Sequence, residues 1–343
     1  MTPPRQRREL DESDVRIRPN PRGSRPRTKE RPRHEDSAPG WVTAVDRGRY
    51  AVLLGGPSDP GITITAMKAR ELGRAGVVVG DRVALVGDVT GERGSLARIV
   101  RVEDRTTLLR RSADDTDPVE RPVVANADQL AVVAALADPE PRPRLIDRTL
   151  VAAYDAGLDP LLVLTKADLR DPADFVASYA LLEVPYVVTR VVDGRVEGLD
   201  AVRERLHGRV TVLLGHSGVG KSTLVNALVP GTARATGSVN DVTGRGRHTS
   251  TSAVAVPLPD GGWVVDTPGV RSFGLAHVDP DRIVGAFPDL VPGTAECPRG
   301  CSHDEPECAL DAYAASGAAG PAGPARLESL RRLLRSRAGG DDA

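Results

Sequence analysis

A glycine-rich segment between an apolar run and a helical pattern constrains this chain more than any other feature. Residues 215–222 read Gly-His-Ser-Gly-Val-Gly-Lys-Ser, follow the predicted strand Val210–Leu214 and open the predicted helix Lys221–Leu228. In such a turn, backbone N–H groups surround a phosphate and the helix N-terminus adds positive potential. Only four of the 46 basic residues are lysine, so few chance matches to this motif are expected. The predicted phosphate-binding residues are Gly215, His216, Ser217, Gly218, Val219, Gly220, Lys221, Ser222 and Thr223.

A second motif, Asp266-Thr267-Pro268-Gly269, follows the apolar strand predicted at Trp263–Val265. Enzymes with a phosphate-binding loop hold Mg²⁺ with a hydroxyl from that loop and with a carboxylate from such a strand end. We therefore expect Ser222 and Asp266 to hold Mg²⁺, and Gly269 to contact the γ-phosphate. The same four-residue pattern occurs at 88–91 and 241–244, but only Asp266 combines a preceding apolar strand with a position downstream of the phosphate-binding loop.

A third motif, Thr165-Lys166-Ala167-Asp168, follows the predicted strand Leu161–Leu164 and is typical of guanine recognition. The Asp168 carboxylate accepts hydrogen bonds from the base, and the stem of Lys166 lies along it. We expect Thr165, Lys166 and Asp168 to bind guanine. Because this motif precedes the phosphate-binding loop instead of following it, the pattern predicts a circular permutation of a GTPase domain.

The segment Gly231–Ser252 is rich in Gly, Thr and Arg and predicts a mobile loop that orders around Mg²⁺ and the γ-phosphate. Thr249 or Thr251 would supply a hydroxyl to Mg²⁺, and the spacing does not choose between them. The residue after the Asp266 motif is Val270, which cannot orient a water molecule. The nearest candidate for catalysis is His248, although a solvent-exposed loop histidine is an equal interpretation.

All three cysteines of the chain lie close together, as Cys297, Cys301 and Cys308, with His303 between them. Three thiols and one imidazole match a closed, tetrahedral Cys₃His zinc site, which leaves no position open for catalysis. The predicted role of one Zn²⁺ here is therefore structural. The odd number of cysteines and their spacing exclude a disulfide scaffold and favour a reducing, cytoplasmic compartment.

Patterning divides the chain into four parts and predicts a multidomain α/β protein. The parts are a disordered Arg/Pro-rich tail at 1–39, an OB-fold β-barrel at 40–112, a permuted P-loop GTPase domain at 113–285 and a zinc-binding helical domain at 286–343. The barrel strands are predicted at 41–45, 50–54, 62–65, 82–86 and 96–102. Beyond it, apolar runs alternate with helical spacing, which predicts a mostly parallel sheet with helices on both faces.

Charge and hydropathy exclude several classes of protein. The net charge is −1, but residues 1–111 carry eight more positive than negative charges, which favours a polyanion-binding face there. The longest apolar run, Leu130–Ala137, is far shorter than the ~20 residues that cross a bilayer. The Arg-rich N-terminus lacks the apolar segment of a secretion signal. No interaction with a membrane is expected.

The order of these motifs resembles the ribosome small subunit-dependent GTPase A family over roughly residues 40–335. The resemblance rests on the barrel, Thr-Lys-x-Asp, Gly-x-Ser-Gly-Val-Gly-Lys-Ser, Gly-Arg-Gly-Arg-His-Thr-x-Thr, Asp-Thr-Pro-Gly and the Cys/Cys/His/Cys cluster. Three features depart from the family pattern, and one of them is the spacing of the zinc ligands, which is about one residue shorter than the family's. Thr165 stands where asparagine is commoner, and no serine-rich motif is evident near Val188–Arg190, where a second guanine-contacting loop belongs.

The resemblance implies a cytoplasmic, circularly permuted GTPase that acts late in maturation of the small (30S) ribosomal subunit. It implies that the barrel and the zinc domain contact 16S rRNA and that the subunit stimulates hydrolysis of GTP to GDP. We expect the protein to be monomeric. By position, His248 corresponds to a residue discussed as catalytic in the family. Neither DNA nor a membrane is an expected partner.

Two other functions stay open from the residues alone. In one, GTP is only a structural ligand of an RNA-binding or ribosome-binding module, and hydrolysis is incidental. In the other, a permuted GTPase acts on the large subunit or on tRNA, against which the barrel and the cysteine cluster argue.

Overall fold

The computed structural model describes residues 34–73, 76–111, 120–230, 253–267, 275 and 278–338. All elements given below lie in the compact unit Asp36–Ala343. None of the helices in these ranges is both long enough and apolar enough to cross a membrane.

The N-terminal strands form the predicted closed barrel. They are β1 (Ala38–Asp46), β2 (Arg49–Gly56), β3 (Asp59–Lys68), β4 (Arg82–Gly87) and β5 (Ala97–Val102). Their pairing order is β1-β2-β3-β5-β4, and β4 returns to pair with β1. Only β3 and β5 run parallel. This is the connectivity of an OB-fold, and all five strand predictions are confirmed within a few residues.

A second set of strands forms the predicted parallel sheet. The strands are β8 (Gln129–Ala135), β9 (Asp159–Thr165), β10 (Tyr186–Val188), β13 (Val210–Leu214), β14 (Val254–Pro257) and β15 (Trp263–Asp266). They lie in the order β10-β9-β8-β13-β15-β14, with the phosphate-loop strand β13 in the middle and β14 as the antiparallel member. The strand β13 therefore lies next to β8 although β9 and β10 come between them in the chain, and the inverted order of the motifs has no effect on which strands meet.

Helices cover both faces of the sheet, as the alternating pattern predicts. They are α1 (Pro143–Ala156), α2 (Ala173–Tyr179), α3 (Leu199–Leu206) and α4 (Lys221–Leu228). Side chains alternate along a strand. Leu130 and Val132 therefore pack with α1 in one apolar cluster, whereas Ala131 and Val133 pack with α3 and α4 in another.

Two short hairpins were not predicted. They are β6 (Leu108–Arg111) with β7 (Arg121–Ala125), and β11 (Arg190–Val192) with β12 (Arg195–Glu197). The first connects the barrel to the parallel sheet. The second follows β10 and is exposed along most of its length.

The C-terminal elements pack on the α1 face. They are α5 (Pro280–Val284), a 3₁₀ turn at Val291–Glu296, α6 (Ala309–Ala315) and α7 (Gly323–Ala338). The helix predicted at 326–334 is thus longer at both ends. Leu330 and Leu333 of α7 belong to the same apolar cluster as Leu150 of α1. The cysteine-rich element therefore shares a core with the parallel sheet.

Candidate nucleotide site and metal centre

The phosphate-binding loop has the geometry that its sequence predicts. The loop leaves β13 after Leu214, and α4 begins at Lys221. Gly218 and Gly220 have φ values of +84° and +89°, a conformation that side chains with a Cβ rarely adopt. The Leu224 N–H donates to the Gly220 carbonyl, so the first turn of α4 closes directly on the loop.

The guanine motif and the phosphate-binding loop meet in space. The hydroxyl of Thr165, at the end of β9, donates to the Val219 carbonyl at 2.6 Å. Both residues are buried. Fifty-four positions separate them in the chain, but β9 and β13 both flank β8 and end at the same edge of the sheet. The two motifs therefore line one site despite their inverted order.

Backbone groups hold the two charged residues of the guanine motif in position. The Lys166 ammonium donates to the Asp138 carbonyl, in the turn between β8 and α1. One carboxylate oxygen of Asp168 accepts the Val191 N–H at 3.0 Å. The Thr189 carbonyl accepts the Ala167 N–H at 3.2 Å.

The segment after β10 thus lies beside the guanine motif without any serine-rich signature. Sequence reasoning located this segment but could not recognise it, because its contacts come from backbone groups that any residue carries. The turn at Asp138 was not predicted for the same reason.

Lys221 and Asp266 form an ion pair across adjacent strands. Asp266 is paired in register with Leu213, the residue before the end of β13. The Lys221 ammonium contacts the Asp266 carboxylate, and both side chains are largely buried. The cation expected at the phosphates and the carboxylate expected at Mg²⁺ are therefore neighbours, as the two motifs predict for one site.

Four predicted site residues lie outside the described part of the chain: Gly269, His248, Thr249 and Thr251. The structure consequently tests neither the predicted γ-phosphate contact of Gly269 nor the catalytic role assigned to His248.

The three cysteines and the histidine converge as their spacing predicts. The ligand atoms of Cys297, Cys301, His303 and Cys308 all lie within 4.8 Å of one another. Cys297 Sγ lies 3.6 Å from His303 Nδ1 and 3.8 Å from Cys308 Sγ, and Cys308 Sγ lies 4.0 Å from His303 Nδ1. A tetrahedral metal with S and N ligands at zinc distances separates those atoms by about 3.6–3.8 Å. The cluster therefore fits a four-coordinate metal ion.

Groups around the cluster orient its ligands. His303 Nε2 lies 3.4 Å from a carboxylate oxygen of Asp281 in α5, which leaves Nδ1 for a metal. Burial raises the pKa of Cys301 to about 11, and its thiol donates to Glu305 at 3.2 Å. The Ser302 N–H lowers the pKa of Glu305 to about 2. A metal ion must displace the Cys301 proton to bind this sulfur.

Two arginines of α7 fasten the cysteine-rich loop to the helix. Arg331 donates to the His303 carbonyl at 3.1 Å and forms a fork with Asp311 at 2.6 and 2.8 Å. Arg335 forms a second fork with Asp304 at 2.9 and 3.0 Å. Paired guanidinium–carboxylate bonds fix orientation as well as distance, so the metal cluster is held in one geometry against α7.

Comparison with known proteins identifies the family. The model of the RsgA GTPase family matches residues 102–276, half of the chain. This chain belongs to the RsgA GTPase family. Members of the family are GTP hydrolases, and the matched range contains the guanine motif, the phosphate-binding loop and Asp266.

Individual relatives agree with this assignment. Three proteins named small ribosomal subunit biogenesis GTPase RsgA come from Ectopseudomonas mendocina, Gemmatimonas aurantiaca and Pseudomonas aeruginosa. They are 45%, 38% and 40% identical over 196, 254 and 242 residues. The alignments cover 55%, 73% and 68% of this chain, and 57%, 82% and 69% of the relatives. The chain thus matches a little over half the length of the first relative and more of the other two.

Solved structures support the RsgA fold along most of the chain. YjeQ from Thermotoga maritima aligns with a TM-score of 0.60 at 27% identity, covering 89% of this chain and 99% of that protein. YloQ, described as a circularly permuted GTPase, aligns with a TM-score of 0.60 at 20% identity, which bears on the fold alone. The predicted permutation is confirmed by this likeness and by the strand order described above.

Proposed function

We propose that this RsgA-family chain binds and hydrolyses GTP and acts in the maturation of the small ribosomal subunit. The observation that carries the proposal is the hydrogen bond from Thr165 to the Val219 carbonyl. It joins a base-reading motif to a phosphate-binding loop, so one guanine nucleotide can reach both. The names of the relatives supply the biological process, and the site supplies the chemistry.

In this proposal the nucleotide lies along the edge of the sheet where β9 and β13 end. Residues 215–223 bind the phosphates with backbone N–H groups, and the ammonium of Lys221 moves from Asp266 to the β- and γ-phosphates. Lys166 lies along the guanine, and Asp168 accepts hydrogen bonds from its donors. The Thr165 hydroxyl holds the Val219 carbonyl and so fixes this part of the phosphate-binding loop.

The donor set fits Mg²⁺ bound together with GTP. Ser222 is exposed in the first turn of α4, and Asp266 lies in register beside the loop strand. A hydroxyl and a carboxylate are the oxygen ligands that such sites use, with Thr249 or Thr251 proposed as a further hydroxyl donor. When bound, Mg²⁺ neutralises charge on the phosphate oxygens. Gly269 is proposed to contact the γ-phosphate, and His248 to assist the attacking water, because Val270 has no polar group to do so.

We further propose that the metal of the cysteine cluster is a single structural Zn²⁺. Three sulfurs and one imidazole nitrogen are soft and borderline donors that suit zinc, and together they complete its tetrahedral shell. The site then orders the turn that precedes α6. The basic barrel and this element are the surfaces that we propose contact 16S rRNA. We also propose that the protein acts in the cytoplasm, where ribosomal subunits are, and as a monomer.

Phosphate release under multiple turnover tests the enzymatic part. The full chain is assayed with GTP alone, with purified small subunits and with purified large subunits, and Lys221→Ala serves as the inactive control. Stimulation of phosphate release by small subunits, but not by large subunits, supports the proposal. Stimulation by large subunits instead would favour the large-subunit alternative.

Nucleotide-dependent pelleting with small subunits tests the binding part. The chain should sediment with small subunits when loaded with a non-hydrolysable GTP analogue and dissociate with GDP. Nucleotide-dependent pelleting without any stimulation of phosphate release would instead favour the binding-module alternative. If the chain does not pellet with small subunits and its phosphate release is not stimulated by them, the proposed function is contradicted altogether.

A further inference from the structure

The barrel and the parallel sheet meet through the two tryptophans of the chain, Trp41 and Trp263. Side chains alternate along β1, so Val42 points into the barrel core while Trp41 points away from it. Trp41 is buried against Trp263 of β15, with ring centroids 4.8 Å apart in an edge-to-face arrangement. The indole N–H of Trp263 donates to the Pro57 carbonyl, in the β2–β3 turn of the barrel, at 3.0 Å.

The same junction contains a continuous row of paired residues. Ala44 of β1 pairs with Val254 of β14, and Val254 pairs with Asp266 of β15. Asp266 in turn pairs with Leu213 of β13. The row therefore begins in the barrel, includes Asp266, whose carboxylate is expected at Mg²⁺, and ends in the strand that precedes the phosphate-binding loop. Barrel and parallel sheet form one eleven-stranded sheet as a result.

A bulge in β1 allows this strand to serve both sheets. The register with β2 shifts between Val42 and Ala44, so Thr43 is the additional residue. Before the bulge β1 pairs with β4 and closes the barrel, and after it Ala44 pairs with β14. Bulges bend a strand and redirect its edge. The junction is therefore built into the barrel strand itself and does not depend on a flexible linker.

We propose that Trp41 and Trp263 are positioning residues that couple ligand binding by the barrel to the position of Asp266. The inference rests on the proposed function, in which the barrel binds the small subunit. Trp263 lies in the same four-residue strand as Asp266, so a shift of the barrel against Trp263 moves that strand. Close-packed interiors transmit such shifts because they have no room to absorb them. Subunit binding thereby sets the distance between Asp266 and the phosphate-binding loop.

Trp263→Phe tests this coupling, because it keeps an aromatic ring and removes the N–H donor to Pro57. The control is Tyr179→Phe, which also removes one hydrogen-bond donor, here a hydroxyl that contacts the Pro143 carbonyl (3.4 Å) and the buried Asp147 carboxylate, at a place away from the barrel. For Trp263→Phe we expect subunit-stimulated kcat to fall by about fivefold or more, the lower range of measured coupling between sites. Basal kcat, KM for GTP and subunit affinity should match the wild type. Trp41→Phe should act non-additively with it, because the two rings touch.

The outcomes separate this inference from the proposed function. If the wild type is not stimulated by small subunits, the proposed function fails and the inference fails with it. If the wild type is stimulated and folded Trp263→Phe is stimulated equally, the inference alone is overturned. A fall in stimulation shared by Tyr179→Phe would also overturn it, since the effect would then be general destabilisation.

Intrinsic fluorescence gives a second test that needs no variant. Both tryptophans lie at the junction, so their emission reports on it alone. Trp263 and Asp266 share the strand β15, so a nucleotide that repositions Asp266 also shifts the ring of Trp263 at the junction. A non-hydrolysable GTP analogue should therefore change the emission relative to GDP. If Trp263→Phe does not fold, this measurement decides, and identical emission with both nucleotides overturns the inference.

Discussion

Replacement of Asp168 by asparagine exchanges one oxygen for an NH₂ group at the carboxylate that we propose reads guanine. In the structure one oxygen of Asp168 accepts the Val191 N–H at 3.0 Å. Only the carbonyl oxygen of asparagine can accept this N–H, since an NH₂ group there would place two donors face to face. The Val191 amide therefore fixes the orientation of the new side chain and turns its NH₂ group to the position of the other oxygen.

The magnitude follows from the hydrogen bonds that change. At that position guanine would lose a bond to a charged acceptor, worth about 1.5–3 kcal/mol, and two donors would be left facing each other, at about 1–3 kcal/mol more. The total of about 2.5–6 kcal/mol corresponds to a loss of about 10²–10⁴ in GTP affinity. Xanthine carries a carbonyl where guanine carries its amino group, so XTP regains a complementary contact with Asp168→Asn.

Competition against a fluorescent GTP analogue measures both affinities. Asp174→Asn is the matched control, because it makes the same change at an exposed aspartate that lies outside the guanine motif, in the first turn of α2. We expect Asp168→Asn to prefer XTP and Asp174→Asn to prefer GTP as the wild type does. Retained preference of Asp168→Asn for GTP would refute the assignment of this carboxylate to the base.

Other parts of the chain give further predictions. Lys221→Ala should reduce GTP affinity by at least about 10²-fold, because the contacts of its ammonium with two phosphates are lost. Unchanged GTP affinity in a fluorescence titration would contradict the role of Lys221 in phosphate binding. Arg105→Ala should lower the free energy of unfolding by about 3–5 kcal/mol, because Arg105 donates two hydrogen bonds, at 2.7 and 2.8 Å, to the carboxylate of the fully buried Asp81. A loss below about 1 kcal/mol in urea-induced unfolding would contradict this. Chelation of the metal should lower the melting temperature and open α6 and α7 to proteolysis while GTP affinity persists; equal protease sensitivity with and without chelator would argue against a structural metal. The hydrogen bonds from Arg326 hold the pKa of Asp289 below its ordinary range, so this carboxylate stabilises the fold at neutral pH and loses its contribution as pH falls through the folded-state pKa. Asp289→Asn should therefore weaken the acid dependence of stability in urea titrations, and an unaltered dependence would exclude this carboxylate as a source.

Elements with strong local signals could be predicted from the sequence to within a residue or two. The strand β13 and the helix α4 have the predicted bounds, because a buried apolar run and a helical apolar face each leave a regular pattern. The helix α1 begins three residues before the predicted Ile146, at Pro143. Proline favours the first position of a helix, so a usable signal was present there.

The short hairpins left no such pattern. All three residues of β11 are exposed, so no alternation of apolar and polar side chains marks the strand. Its importance comes from one backbone N–H, that of Val191, which reaches Asp168. Backbone groups are the same in every residue, so contacts of this kind have no signature in the residue types.

By itself, the amino-acid sequence determined the chemistry of this protein. The motifs typical of phosphate, guanine and metal binding are local, and each needs particular residues at a fixed spacing within a short segment. Only the tertiary structure decided which of these segments meet: Thr165 with Val219, and Trp41 with Trp263 across 222 positions of the chain. Such contacts depend on which strands lie side by side, and strand neighbours are chosen by the packing of the whole sheet rather than by any local spacing.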